Sequence, residues 1–134
     1  MIFDTSYSDK KITRQIDQAV GHPYSWKERW KMGGIGSKRM VIQDISEDYR
    51  KYLNAAYYHT NANIELRPKG ILVHFRHKLQ AYSWVMSFDD LEIASETLLT
   101  LKAAGKFLEF DPGDQQKFIA KLISLRQEYL ELKK

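Results

Sequence analysis

The strongest periodicity lies at the C-terminal end of the chain. Beyond Asp111-Pro112-Gly113, Phe118, Leu122, Leu125 and Tyr129 recur at four- and three-residue spacing, and Ile119 and Leu130 widen the stripe. Lys117, Lys121, Arg126, Gln127 and Glu128 fall on the other faces. The spacing predicts an amphipathic helix capped by Asp114 and running to about Leu132. Ahead of it the period shortens to two. Ile64 and Leu66 alternate with Glu65 and Arg67, and Pro68-Lys69-Gly70 then reverses the chain. Ile71, Val73 and Phe75 alternate with Leu72, His74 and Arg76. Tyr82, Trp84, Met86 and Phe88 share a face against Ser83, Val85 and Ser87, and Asp89-Asp90 closes that strand. Leu91 to Ile93 read as a short link, Leu98 to Leu101 as a fourth strand, Ala103 to Lys106 as a hairpin turn and Phe107 to Phe110 as a fifth strand. The predicted fold class is α+β: a strongly bent antiparallel β-meander, a partial barrel, closed by a C-terminal amphipathic helix.

The first 60 residues read as a helical and loop segment that packs on this block, the two forming a single domain overall. Asp9 caps a short helix with Ile12, Ile16 and Val20 on one face, and Gly21-His22-Pro23 stops it. Met32 to Ser37 reads as a flexible loop, Arg39 to Gln43 as one further strand, and Ser46 as the cap of a short helix bearing Tyr49, Tyr52 and Leu53.

The residues from Ile64 to Val73, the corner Ser83-Trp84-Val85-Met86-Ser87-Phe88-Asp89-Asp90-Leu91-Glu92-Ile93, the strand pair after it and Phe110 to Asp114 leading into the last helix resemble the bacterial pleckstrin-homology-like (PH-like) domains. The resemblance spans roughly residues 61 to 134. It implies a binding platform for lipids, peptides or partner domains, and it transfers no functional residue.

Composition narrows the chemistry. With 134 residues, 43% of them hydrophobic, the chain is long enough to bury a core, and with no cysteine it has neither disulfides nor thiolate chemistry. No apolar run reaches the length of a membrane span and the N-terminus lacks a signal-peptide pattern, so the expected location is cytoplasmic. The net charge of +4 is concentrated in two stretches. Lys27, Arg29, Lys31, Lys38 and Arg39 form the first, and Arg67, Lys69, Arg76 and Lys78 with His74 and His77 the second; all of these lysines and arginines except Lys78 are candidates for a ligand-binding face. If the two adjoin in space, they form one basic face for an anionic partner, either a lipid head group or an acidic protein surface. Trp26 and Trp30, four residues apart among the cations, share a face if that segment is helical. The expectation is that both indoles dock the segment on the sheet; as the alternative they contact a partner, and stacking the bases of single-stranded nucleic acid is the rival function. Trp84, alternating with Tyr82 and Met86, is expected in the core.

Other motifs carry less. His22, His59, His74 and His77 suggest no metal site, because residues three apart on a strand point to opposite faces. Gly33-Gly34-Ile35-Gly36-Ser37-Lys38 lacks the Gly-Lys-Ser/Thr order of a phosphate loop and reads as a linker. Asp89 and Asp90 read as a strand-ending turn, and no Ser/His/Asp grouping stands out by spacing. No catalytic residue, cofactor or metal is expected, and a small-molecule enzyme is the third reading. Unpaired strand edges leave room for a homo-oligomer.

Overall fold

A computed structural model describes residues 1–53 and 60–133. In chain order the elements are β1 (Ile2–Asp4), α1 (Lys10–Val20), α2 (Trp26–Met32), β2 (Met40–Ile45), a 3-10 helix (Glu47–Tyr52), β3 (Asn61–Arg67), β4 (Gly70–His77), β5 (Gln80–Ser87), β6 (Glu92–Ser95), β7 (Leu99–Ala103), β8 (Lys106–Asp111) and α3 (Gln116–Leu132). The fold is α+β. All eight strands join one antiparallel sheet in the order β1-β5-β4-β3-β2-β8-β7-β6.

That order explains the bend. β5 and β6 lie six positions apart in the sheet, a span of roughly 29 Å if it were flat. Only Phe88 to Leu91 connect them, and five residue steps reach at most about 18 Å. The sheet must therefore curl towards itself. The inner face of the curl holds Ile64, Leu66, Ile71, Val73, Phe75, Trp84, Met86, Leu99, Leu101, Leu108 and Phe110 as one buried cluster. α3 lays Phe118, Ile119 and Leu122 on that cluster, with Leu125 and Tyr129 partly buried beside them. Trp84 is in the core, as its alternation implies.

Two three-stranded meanders, β3-β4-β5 and β6-β7-β8, are joined by β2, which pairs with β3 on one side and β8 on the other. The first 60 residues thus supply two strands of the sheet itself, β1 and β2. β1 escapes a periodicity reading because it has three residues. β6, expected as a link, is four residues long and pairs with β7 over Glu92 to Ser95. The sheet edges are β1 and β6, each too short to offer a long template for pairing.

Two capping expectations need correcting. Gln115, not Asp114, precedes α3, and it makes no side-chain cap. The Ser46 hydroxyl leaves the start of its 3-10 helix uncapped and accepts from the Phe107 N–H at 2.7 Å, joining that turn to β8. Asp9 does cap α1, its carboxylate accepting from the N–H groups of Lys11 and Ile12. α1 lies on the outer face of the sheet, where Ile16 and Val20 bury Leu72 with Phe3, Ile12 and Val85 around them. Gly70 permits that approach, because a Cβ there would meet the Met86 carbonyl oxygen at 2.3 Å and Val20 Cγ1 at 2.6 Å.

Candidate anion-binding surfaces

The eight cations singled out by charge do not form one face. Arg67 is the clearest departure. It is 7% exposed, and its guanidinium is already held from three directions. Nη1 donates to Asp17 Oδ1 at 3.1 Å and to the Gly21 carbonyl at 2.8 Å, and Nε donates to Glu65 Oε2. Arg67 therefore ties the end of α1 to β3 and is withdrawn from any surface ligand.

The chain of polar contacts continues across the outer face. His74 Nε2 meets Glu65 Oε1 at 2.9 Å, His74 Nδ1 meets Ser83 Oγ at 2.8 Å, and Ser83 Oγ meets Thr5 Oγ1 at 3.1 Å. Burial would raise the Glu65 carboxyl, but hydrogen bonds from His74 and Arg67 and the charges behind them outweigh it and hold the group at about 2. Ser83, His74 and Glu65 have the composition of a nucleophilic triad, which sequence spacing gave no sign of. Acyl transfer needs an accessible hydroxyl beside free N–H donors for the developing oxyanion. Ser83 is 1% exposed in mid-strand, paired to β4 on one side and β1 on the other. With Thr5 at one end and Arg67 at the other, the trio is a brace that crosses β5, β4 and β3 and reaches α1 at Asp17.

The other cations are distributed over separate places. Lys69 lies with Lys10, Arg14 and His22 in a wide groove of about 1050 Å³ beside α1, where Asp17 and Glu28 offset part of the charge. Lys38 sits beside the start of α3, its backbone N–H on Gln115 Oε1. The two basic stretches meet where Arg39 and Arg76 line one shelf with Asn61, Asn63 and His74. His77 is on the opposite face of β4 from His74, as alternation requires, and its Nδ1 is buried without a partner among the described residues. His59 lies outside the described residues, and among these no His/Asp/Glu group has the form of a metal site.

α2 gathers the remaining candidates: Trp26, Lys27, Arg29, Trp30 and Lys31. A seven-residue helix is too short to persist by propensity, so it depends on its ends. Ser25 and Glu28 form a reciprocal capping box, Ser25 Oγ accepting from the Glu28 N–H and Glu28 Oε1 from the Ser25 N–H. Gly33 closes the helix in the left-handed conformation, φ 74°, and Lys121 of α3 donates from Nζ to the carbonyls of Gly33 and Gly34. Tyr24 and Met32 anchor the two ends on the core. At about 100° per residue, Trp26 and Trp30 lie roughly 40° apart on the side opposite Met32. The indoles do not dock on the sheet as expected. They are 70% and 82% exposed, because the helix has only its Met32 side against the body. Arg29 flanks them on one side, Lys27 and Lys31 on the other, and Trp26, Arg29, Trp30, Gly33 and Gly34 line a shallow open surface.

The glycine loop after α2 is pinned rather than free. Gly33 and Gly34 N–H groups bond Trp30 and Arg29 carbonyls, Ser37 N–H bonds the Ile64 carbonyl, and Leu66 N–H bonds the Ile35 carbonyl. With the Gly33, Gly34 and Ser37 amides used and Gly36 bridged to Glu65, the loop covers the edge of β3 and is neither a free linker nor an open phosphate cradle. No family model, no curated protein and no solved structure matches the chain. Among the described residues no helix is long and apolar enough to cross a membrane.

Proposed function

We propose that this protein is a non-catalytic binding module of PH-like type that docks on an anionic lipid surface through α2. The observation that carries the reading is the outward face of Trp26 and Trp30, with cations on both flanks and no apolar partner among the described residues. Indoles favour the bilayer interface, where the ring meets acyl chains and the N–H meets water, and lysines and arginines beside them meet lipid phosphates. The shape supports lipid over nucleic acid. A protruding helix inserts into a deformable surface, whereas single strands are tracked by a groove with stacking platforms along it.

The magnitude fits reversible docking. Three cations contribute about 1 kcal/mol each against an anionic leaflet. Two indoles seated partway contribute roughly 1.5 kcal/mol each, the low end of full side-chain burial. The sum, on the order of 6 kcal/mol, is near that of a single myristoyl chain, whose membrane binding is marginal. The test is co-sedimentation of the full chain with phosphatidylcholine vesicles, with and without phosphatidylglycerol, beside titration of a thymidine oligonucleotide. Binding to the anionic vesicles alone is the expected result. No sedimentation with either vesicle overturns it, and tight oligonucleotide binding without vesicle binding reassigns the face to nucleic acid.

A further inference from the structure

The outer face of the sheet carries a concave shelf at the end that α1 leaves uncovered. Strand register builds it. His74 pairs with Asn63 on one side and Ser83 on the other, and Asn61 pairs with Val41. Continuing the same registers places Arg39 opposite Asn63 and Arg76 opposite Asn61. An arginine on β4 and one just ahead of β2 therefore flank β3, whose Asn61 and Asn63 side chains lie between them. Two strand spacings and a two-residue offset set the arginine backbones roughly 12 Å apart, which two extended side chains can bridge from opposite sides.

The concavity measures about 410 Å³, and Arg39, Asn61, Asn63, His74 and Arg76 supply its polar lining. No carboxylate lines it among the described residues. Neither arginine has a hydrogen-bond or ion-pair partner among them, while Glu65, next along the same face, is already held by Arg67 and His74. His74 is fixed by Glu65 and Ser83, so the floor of the shelf is rigid.

We infer that this shelf binds the phosphate monoester group of a small soluble molecule, clamped between Arg39 and Arg76. A phosphate monoester carries about −1.5 to −2 at neutral pH and offers three acceptor oxygens, which matches two guanidinium forks and two carboxamide N–H₂ groups. The volume lies in the range of small-ligand sites, about 300–1,000 Å³, and the two arginines and two carboxamides that line it favour a soluble phosphate ester over an acyl chain. The site is separate from the α2 surface and does not depend on it.

The test is amide NMR of the full chain titrated with inorganic phosphate and with glycerol 3-phosphate, using acetate as the control anion. The expected result is saturable shifts at residues 39, 61, 63, 74 and 76 with both phosphates, weaker shifts with acetate, and at least a tenfold loss of affinity in each of Arg39→Gln and Arg76→Gln. Both side chains are exposed, so both variants fold, as an unchanged melting temperature verifies. Trp26→Ala/Trp30→Ala binds phosphate as the wild type does and loses vesicle binding, which separates the two sites. Absence of saturable shifts, or shifts unaltered in Arg39→Gln and Arg76→Gln, overturns the inference. Binding of phosphatidic acid vesicles that depends on these arginines, with no response to soluble phosphates, overturns the soluble-ligand assignment.

Discussion

Replacing Arg67 by methionine keeps most of the side-chain volume and removes the charge. The change leaves Asp17 and Glu65, whose side chains retain 15% and 24% of their exposure, facing one space without the cation between them. It also leaves the Gly21 carbonyl without its donor. Removing one partner from a buried pair costs about 3–5 kcal/mol, and the partial exposure of both acids places this case near about 3 kcal/mol. For a domain of this size that corresponds to a melting temperature roughly 10 °C lower. Arg67→Lys keeps the charge but not the three-way geometry, and an intermediate loss is expected. The pH dependence supplies an independent check. Because the Glu65 carboxyl in the folded protein is held at about 2, below its ordinary 4.5, its contribution to stability is complete above about 4.5 and is lost as pH falls towards 2. In Arg67→Met part of that restraint is absent, so the gap between variant and wild type narrows over the same interval. Thermal unfolding followed by circular dichroism from neutral pH down to about pH 3 measures both effects. A melting temperature within about 2 °C of wild type at neutral pH, or a gap that does not change with pH, refutes the assignment of Arg67 as the tie between α1 and β3.

Gly70→Ala is expected to lower the unfolding free energy measured in urea by at least about 2 kcal/mol, because the new methyl meets the Met86 carbonyl and Val20 and only backbone movement relieves it. Lys27→Gln/Arg29→Gln/Lys31→Gln is expected to weaken anionic-vesicle binding by about 3 kcal/mol, some two orders of magnitude, with stability unchanged because all three side chains are exposed. Raising salt to several hundred millimolar is expected to shrink that difference, since exposed charges are screened over about 5 Å or less at such concentrations. Co-sedimentation across a salt series checks both statements.

Much of the fold was legible in the sequence because its two periods are clean. The stripe of Phe118, Leu122, Leu125 and Tyr129 has one solution, and so do the alternations of β3, β4 and β5. β1 and β6 were not legible, since three or four residues carry too few alternations to separate strand from link. The position of β2 between the meanders was also hidden, because pairing between distant segments leaves no local mark. In the site, charge count alone grouped Arg67 with the surface cations. Its partners Asp17 and Gly21 are 50 and 46 residues away in sequence, and only the fold brings them together. The exposure of Trp26 and Trp30 answers to the alternative expectation and not to the favoured one, for a related reason. Large aromatics are ordinarily buried, and Tyr24 and Met32, which hold the helix on the body, left the indoles on the opposite side. The shelf did have a signal: Asn61-Ala62-Asn63 alternates in step with Ile64-Glu65, which places both amides on the face of Glu65 and His74.

Tryptophan emission tests the docking of α2 most directly, because Trp84 is 1% exposed and stays in the core while Trp26 and Trp30 are in water. Full-length protein is mixed with anionic vesicles containing lipids brominated near the top of the acyl chains. The expected result is a blue shift with bromine quenching, both absent in Trp26→Phe/Trp30→Phe and with neutral vesicles. Emission that neither shifts nor quenches on anionic vesicles contradicts the proposed membrane docking.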